Sequence, residues 1–420
     1  MSGYAILLIG AGMVIHLDIT IPRARSLRAT DRKASAPMQT SALLTAAQAQ
    51  IEDFLVELAR LVNIDSGTYT PAGVARVSDE LQRLFHAAGA LVERVDGKEY
   101  GPHLVARWPG AGKGRILLIG HMDTVFPEGE ATRRPFHIAD GRAYGPGVMD
   151  MKSGLLAGLT AARLLREEAP WAELVMLCNS DEEVGSPSSH DLVAHLASQA
   201  DATLVLEPNS RVDKVTIARK GVATFRLEVT GLSAHAGVEP DKGRNAIVEL
   251  AHRALAVHAL NGTIPGVTLN VGVIAGGERP NVVADSAYML VDVRAPSREG
   301  GAAVEAALRG VAEAAPTVAG TETRLSGGFV HQPFTQSEAS ARLFALAEGV
   351  AHELGYTLVG GATGGGSDGN TAAAVGAATL DGLGPTGAHA HNPEEYIEIA
   401  SIAPRIALLG GIIGAVGAAS

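Results

Sequence analysis

Short runs of uniformly apolar residues alternate, along the first half of the chain, with stretches whose apolar positions recur every three or four residues. Ile51, Phe54, Leu55, Leu58 and Leu61 fall on one helical face within the segment Thr45 to Val62, and Val77 to Ala88 repeats the pattern. Then come "HLVARW", "RILLIG", a helical "KSGLLAGLTAARLLREE", "ELVMLCNS", a helical "SSHDLVAHLASQ" and "ATLVLEP". Strands that are apolar at every position bury both faces. The alternation therefore predicts an α/β domain in which a mostly parallel sheet is flanked by helices.

The pattern changes near Asp213. "KVTIARKGVATFRLEVTG" alternates like strands with one wet face, and is followed by a helix in "GRNAIVELAHRALAVHAL", strands around "TLNVGVIAGG" and "ADSAYMLVDVRAP", and a helix in "EGGAAVEAALRGVAEAA". After Gly327 the first style returns, with a helix from Glu338 to Leu354, a strand "TLVGG", a glycine-rich loop, a strand "AATLDG" and a final helix from Ile402. The expected organisation is a discontinuous α/β domain, residues 41–212 and 327–420, interrupted by a smaller α+β domain, residues 213–326.

The chain's 420 residues suffice for two or three such units. Residues 1–40 are expected to lie outside the fold: their apolar stretch has no Lys or Arg before it, "RATDRKASAP" follows, and Met38 is read as opening the folded protein. The C-terminal "IALLGGIIGAVGAA" is too short and too rich in glycine to read as a membrane span. This favours a cytoplasmic location and leaves export open. A net charge of -11 argues against nucleic acid or an anionic membrane as a partner. The only cysteine, Cys178, lies in an apolar run, so no intrachain disulfide forms.

The chemistry gathers just past the apolar strands. His121 and Asp123 follow one, Asp181, Glu182 and Glu183 another, and Glu207 a third, while Asp150 precedes a helix. The carboxyl ends of parallel strands share one sheet edge, so these four groups are expected to converge. Carboxylates and imidazoles without thiolates suit zinc, cobalt or manganese, and a two-metal site needs a bridging carboxylate with further ligands on each side. One carboxylate must stay unligated to move a proton, and the adjacent Glu182 and Glu183 allow that division. Asp123 stands where it can accept a hydrogen bond from His121 and fix its tautomer.

"GHMDTV", "GPGVMDMKSG", "SDEEVGS", "LEP", "GLSAHAG", "TGGGSD" and "GAHAHNPEEY", in this order, resemble the M20 family of dizinc peptidases and deacylases, most closely its glutamate carboxypeptidase branch, across about residues 41 to 415. The resemblance implies two Zn2+ ions, with Co2+ or Mn2+ as possible substitutes. One is held by His121 and Glu207, one by Glu183 and His391, and Asp150 bridges. It makes Glu182 the general base, acting on a water between the metals, and Asp123 the residue that orients His121. His389 competes with His391, which is selected because it lies four residues before Glu395, itself followed by the aromatic Tyr396. The insert resembles a lid and dimerisation domain whose His235 reaches the partner subunit's site, while Asn281, Arg294 and the Gly364 to Gly366 loop, through Gly365 and Gly366, match substrate-gripping positions.

The implied enzyme is a homodimer that hydrolyses the amide bond of an N-acyl or peptidyl amino acid with a free carboxylate. The alternative is an N-acyl amino acid deacylase of the acetylornithine deacetylase or aminoacylase type. One departure stands out: where that branch often carries Arg-Pro, "GGFVHQPF" has His331 and Gln332, which puts a glutamate leaving group in doubt. Two rival motifs are weaker. Gly364, Gly366 and Gly369 satisfy a dinucleotide-binding spacing but come too late in the chain, and "GAGKG" reads as a hairpin turn.

Overall fold

The strands expected to be apolar on both faces lie in a six-stranded sheet. A computed structural model describes residues 39–419, and the readings made for the first 38 residues lie outside these. The sheet order is Leu91–Val95, His103–Pro109, Glu173–Asn179, Arg115–His121, Ala202–Val205 and Thr379–Leu380. The last four run parallel and the first two pair antiparallel at one edge. Ile116 and Leu118 join one core with Leu174, Met176 and Leu204. Leu117 and Ile119 join the other, on the opposite face, with Val175, Leu177 and Val205. This double burial is why the middles of the strands Arg115–His121 and Glu173–Asn179 are apolar at every position, with polar residues only at their ends.

The first core holds the C-terminal helix Ile399–Ala419, which begins three residues before the expected Ile402. The helix is long and apolar enough to cross a membrane, yet Ile406, Leu408, Leu409, Ile412 and Ile413 are buried within the protein. Each such side chain contributes about 1.5–3 kcal/mol of apolar burial. A Cβ at Gly411 would stand 2.4 Å from Val350, so close helix packing explains that glycine. Arg405, fully buried in the same helix, donates to the carbonyls of Val212, Lys214, Gly382 and Gly384. The helix expected from Thr45 to Val62 is two, Thr40–Ala49 and Ile51–Val62, which turn at Gln50.

A second sheet, wholly antiparallel, has the order Thr268–Gly276, Ser286–Ala295, Gly221–Thr230 and Glu322–His331. Alternate residues of its central strands are buried against the helices Ala246–Ala259 and Arg298–Glu313, as the one-wet-face pattern requires. Asn245 and Ser297 cap these helices through their side chains. Two elements differ from expectation. Lys214–Arg219 pairs in parallel with Val359–Thr363 outside this sheet, and the sheet's last strand continues to His331. The "GAGKG" segment is no hairpin either, because Glu173–Asn179 lies between the strands it joins.

Candidate metal centre

The register of the parallel strands sets His121 beside Asn179 and Ile119 beside Val205, so the segments that follow each strand emerge at one edge. His121 ends its own strand and is buried. Its Nδ1 lies 2.9 Å from the backbone carbonyl oxygen of Asp123, which can only accept. Nδ1 therefore carries a proton, which leaves Nε2 as the nitrogen that can give up its own proton and offer a lone pair to a cation. The Asp123 carboxylate stands further away, 3.4 Å from Nδ1. It accepts from Thr68 Oγ1 at 2.8 Å and from the N–H groups of Glu182 and Glu183, each at 3.2 Å. Asp123 thus steadies both the imidazole and the next acidic turn, the first of these mainly through its main chain.

Asp150 sits in the irregular turn Val148–Lys152 and precedes a cis peptide bond. The buried Glu395 carboxylate pins this turn by accepting the N–H groups of Gly147, Met149 and Asp150 at 3.0, 2.8 and 2.9 Å. Lys152 Nζ donates to Ile64 O at 2.9 Å from the same turn. The two oxygens of Asp150 then serve different neighbours. Oδ1 is 3.0 Å from His121 Nε2, which is also 3.7 Å from Glu207 Oε1. Oδ2 is 3.2 Å from His391 Nε2, which is also 3.1 Å from Glu183 Oε2.

Two donor groups result: His121, Asp150 and Glu207, and Asp150, Glu183 and His391. Ligand atoms about 2.0–2.2 Å from a tetrahedral zinc stand about 3.3–3.6 Å apart, so the spacings fit a cation within each group. Glu183 Oε1, buried and without a hydrogen-bond partner, is a further free donor. Electrostatics point the same way. Burial, then Glu207, holds Glu182 well above the usual carboxylate range, and burial, then Asp150, does the same to Glu207. Hydrogen bonds to Asp150 and Glu183 push His391 up to about 10. His121 also lies well above its ordinary value: burial opposes the shift, and hydrogen bonds to Asp123 and Asp150 outweigh it. Without metal, protons on the two imidazoles supply the positive charge that these carboxylates require.

The expected substrate-binding residues do not join these groups. His235 is exposed, and its Nδ1 accepts the N–H groups of Gly237 and Val238. It pairs with Val282, beside Asn281, whose carbonyl accepts Ala236 N–H at 3.0 Å. Arg294 forms a two-point pair with Asp292, 2.9 Å at each contact, and its Nη1 is 3.5 Å from Gly364 O. The carbonyls of Gly365 and Gly366 face Arg219 Nη1, each at 3.3 Å. His331 is buried, its Nδ1 has no hydrogen-bond partner, and burial followed by the charges of His190, Arg219 and Arg294 lowers it to about 4. His389 lies against Tyr396 with its ring tilted by 57° and ring centres 5.9 Å apart, and belongs to neither donor group. The strand before the Gly364, Gly366, Gly369 motif belongs to a two-stranded sheet apart from the six-stranded one, so no dinucleotide-binding unit forms there.

Several buried charges around the centre escaped the sequence reading. Asp381 takes Arg219 Nε and Ser367 Oγ at 2.6 Å each, and Asp368 takes Ser186 Oγ and Asn179 Nδ2, also at 2.6 Å each. Their one signal is position: both acids stand beside glycines in "GGGSDG" and "LDG".

The chain is similar to known proteins over most of its length. The model of peptidase family M20/M25/M40 matches residues 117–415. Carboxypeptidase G2 of Pseudomonas sp. (strain RS-16) is 31% identical over 396 residues, which cover 92% of this chain and 94% of that enzyme. Acetylornithine deacetylase of Proteus mirabilis (strain HI4320) is 29% identical, over 72% of this chain and 80% of the relative. Among solved structures, aminopeptidase PepT from Bacillus cereus superposes with a TM-score of 0.73 at 26% identity, covering 87% of this chain and 98% of that one.

Proposed function

Because the chain belongs to peptidase family M20/M25/M40, we propose that it is a dizinc hydrolase which cleaves the amide bond of an N-acyl or peptidyl amino acid bearing a free carboxylate. The observation that carries this reading is the Asp150 carboxylate, whose two oxygens face two separate histidine and glutamate groups. His121 and Glu207 hold one cation, Glu183 and His391 the other, and Asp150 both. When bound, the two cations supply Lewis acidity toward a water and a substrate carbonyl.

The chain's own residues do the rest. Glu182, beside Glu183 and outside both donor groups, accepts a proton from the attacking water and returns it to the leaving amine. Asp123 keeps the His121 lone pair directed at the metal position. His235 is assigned to the scissile carbonyl of the partner subunit, and Asn281, Arg294, Gly365 and Gly366 to the substrate carboxylate.

A homodimer through the insert is supported by its surface. Thr268–Gly276 is an edge strand with Val273 and Ile274 exposed, next to a helix exposing Ile247, Val248 and Leu255, and a cavity of about 470 Å³ lies between them. A second reading, the N-acyl amino acid deacylase, is favoured by His331, which is neutral at pH 7 and brings no charge to a second substrate carboxylate. The test is a hydrolysis screen of N-acyl and N-peptidyl amino acids with chelator and zinc add-back. Amide hydrolysis lost to chelator and restored by zinc is expected; its absence across a broad panel refutes the reading.

A further inference from the structure

We propose that Asp368 is a positioning residue for the turn that carries Glu182 and Glu183, which it clamps at both ends. The inference rests on the reading of Glu182 as general base. That segment leaves the strand Glu173–Asn179, makes the single turn Glu182–Val184 and ends at Ser186. Asn179 and Ser186, at its two ends, are both fully buried. Their side chains meet on one carboxylate: Ser186 Oγ donates to Asp368 Oδ1 and Asn179 Nδ2 to Asp368 Oδ2, each at 2.6 Å.

The turn needs such a hold. Gly185 and Ser186 have φ of 89° and 57°, and a serine rarely rests in the left-handed region unaided. Gly185 N–H to Glu182 O and Ser186 N–H to Asp181 O, both 2.8 Å, close the turn on itself but do not fix it relative to the sheet. Asp368 does, from the start of the helix Asp368–Ala374. That helix is anchored in turn, because its cap Ser367 donates to Asp381, which takes Arg219, and Arg219 holds the carbonyls of Gly365 and Gly366. The acidic turn and the glycine loop are therefore one buried hydrogen-bonded unit. Asp123 grips the same turn from the other side, but it also bonds His121, so its removal would disturb the metal position as well. Asp368 hydrogen-bonds none of the five proposed ligands, which makes its effect separable.

The experiment compares kcat, KM and bound metal in the zinc-loaded full chain and in the variants Asp368→Ala, Asp368→Asn and Ser186→Ala. Asp368→Ala is expected to lower kcat at least about tenfold with KM and metal content near wild type, the signature of a misplaced group that acts in the transition state. Asp368→Asn, whose carbonyl still accepts from Asn179 and whose amide can donate to Ser186 Oγ, should restore kcat to within about threefold. If Asp368→Ala does not fold, Ser186→Ala removes one arm of the clamp and is expected to lower kcat alone. Unchanged kcat, metal lost in proportion to kcat, or an Asn variant no better than Ala would each overturn the proposal. Turnover retained by Glu182→Gln would instead overturn the underlying assignment of the base, read on a different variant.

Discussion

Glu395 accepts the backbone N–H of Asp150 at 2.9 Å, so the carboxylate facing both donor groups is itself held by a carboxylate buried beneath it. Glu395→Gln keeps the size but turns an NH2 toward one of the three N–H donors it now satisfies. Leaving one of these buried N–H groups without an acceptor costs about 1–3 kcal/mol, here in the order of the Asp150 turn. The expected outcome is metal affinity about 10–100-fold weaker, the usual cost of losing a supporting contact, with the overall fold intact by circular dichroism. Chelator competition measures it.

Glu182→Gln is expected to lower kcat at least about a hundredfold while leaving bound metal unchanged, the typical contribution of a general base. Glu183→Gln, made in parallel, should lower metal content as well. Similar behaviour of the two variants would contradict the division of labour between neighbouring glutamates. Metal analysis beside steady-state kinetics decides it.

Metal and protons compete for the same imidazoles. His391 is raised from 6.5 to about 10 by its carboxylate partners in the metal-free protein. A raised histidine contributes stability that is fully present below its unfolded value and is lost as pH rises through the folded one. The metal-free protein is therefore expected to lose thermal stability between about pH 6.5 and pH 10, and the metal-bound protein to lack this contribution. Zinc binding must also release protons, so zinc affinity should rise from pH 6 to pH 8 by up to about tenfold per pH unit for each proton displaced. Titration in two buffers of different ionisation enthalpy counts those protons. His391→Ala should reduce the count.

Asp381→Ala would strand the buried Arg219 guanidinium, which has the side-chain accessibility of a core residue at 9%. Removing one partner of a buried pair costs about 3–5 kcal/mol, so a shift of that size in the denaturation free energy is expected, larger than for any exposed pair such as Arg309 with Glu305. Equal effects from Asp381→Ala and Glu305→Ala would sink the claim.

These charges also mark where sequence reading ends. The parallel strands were legible because both of their faces are buried, and the insert because its strands alternate. His121, Asp150, Glu183 and Glu207 were legible as a group because each follows a strand or precedes a helix at the shared edge. His391 was not: it lies in an exposed turn with φ of 63° and no periodic signal, and came only through the family resemblance. Arg219 and Asp381 are 162 residues apart, and no local pattern marks a pair so distant. Glu322–His331 was missed as one strand because Gly327 and Gly328 interrupt its alternation.

His235 and Glu182 offer a test of whether the site is shared between subunits. His235 is exposed on the insert and hydrogen-bonds only its own loop, so in a single chain it has no work to do on the substrate. His235→Ala is expected to lower kcat with metal content unchanged. If His235 serves the partner, each subunit lacking it still carries an intact Glu182, and each Glu182→Gln subunit still carries an intact His235. A heterodimer of the two variants then has one complete site of two. Random exchange makes half the dimers mixed, so about a quarter of wild-type activity should return on mixing two inactive proteins. A site built within one chain predicts no recovery at any mixing ratio, and activity measured against mixing ratio separates the two arrangements.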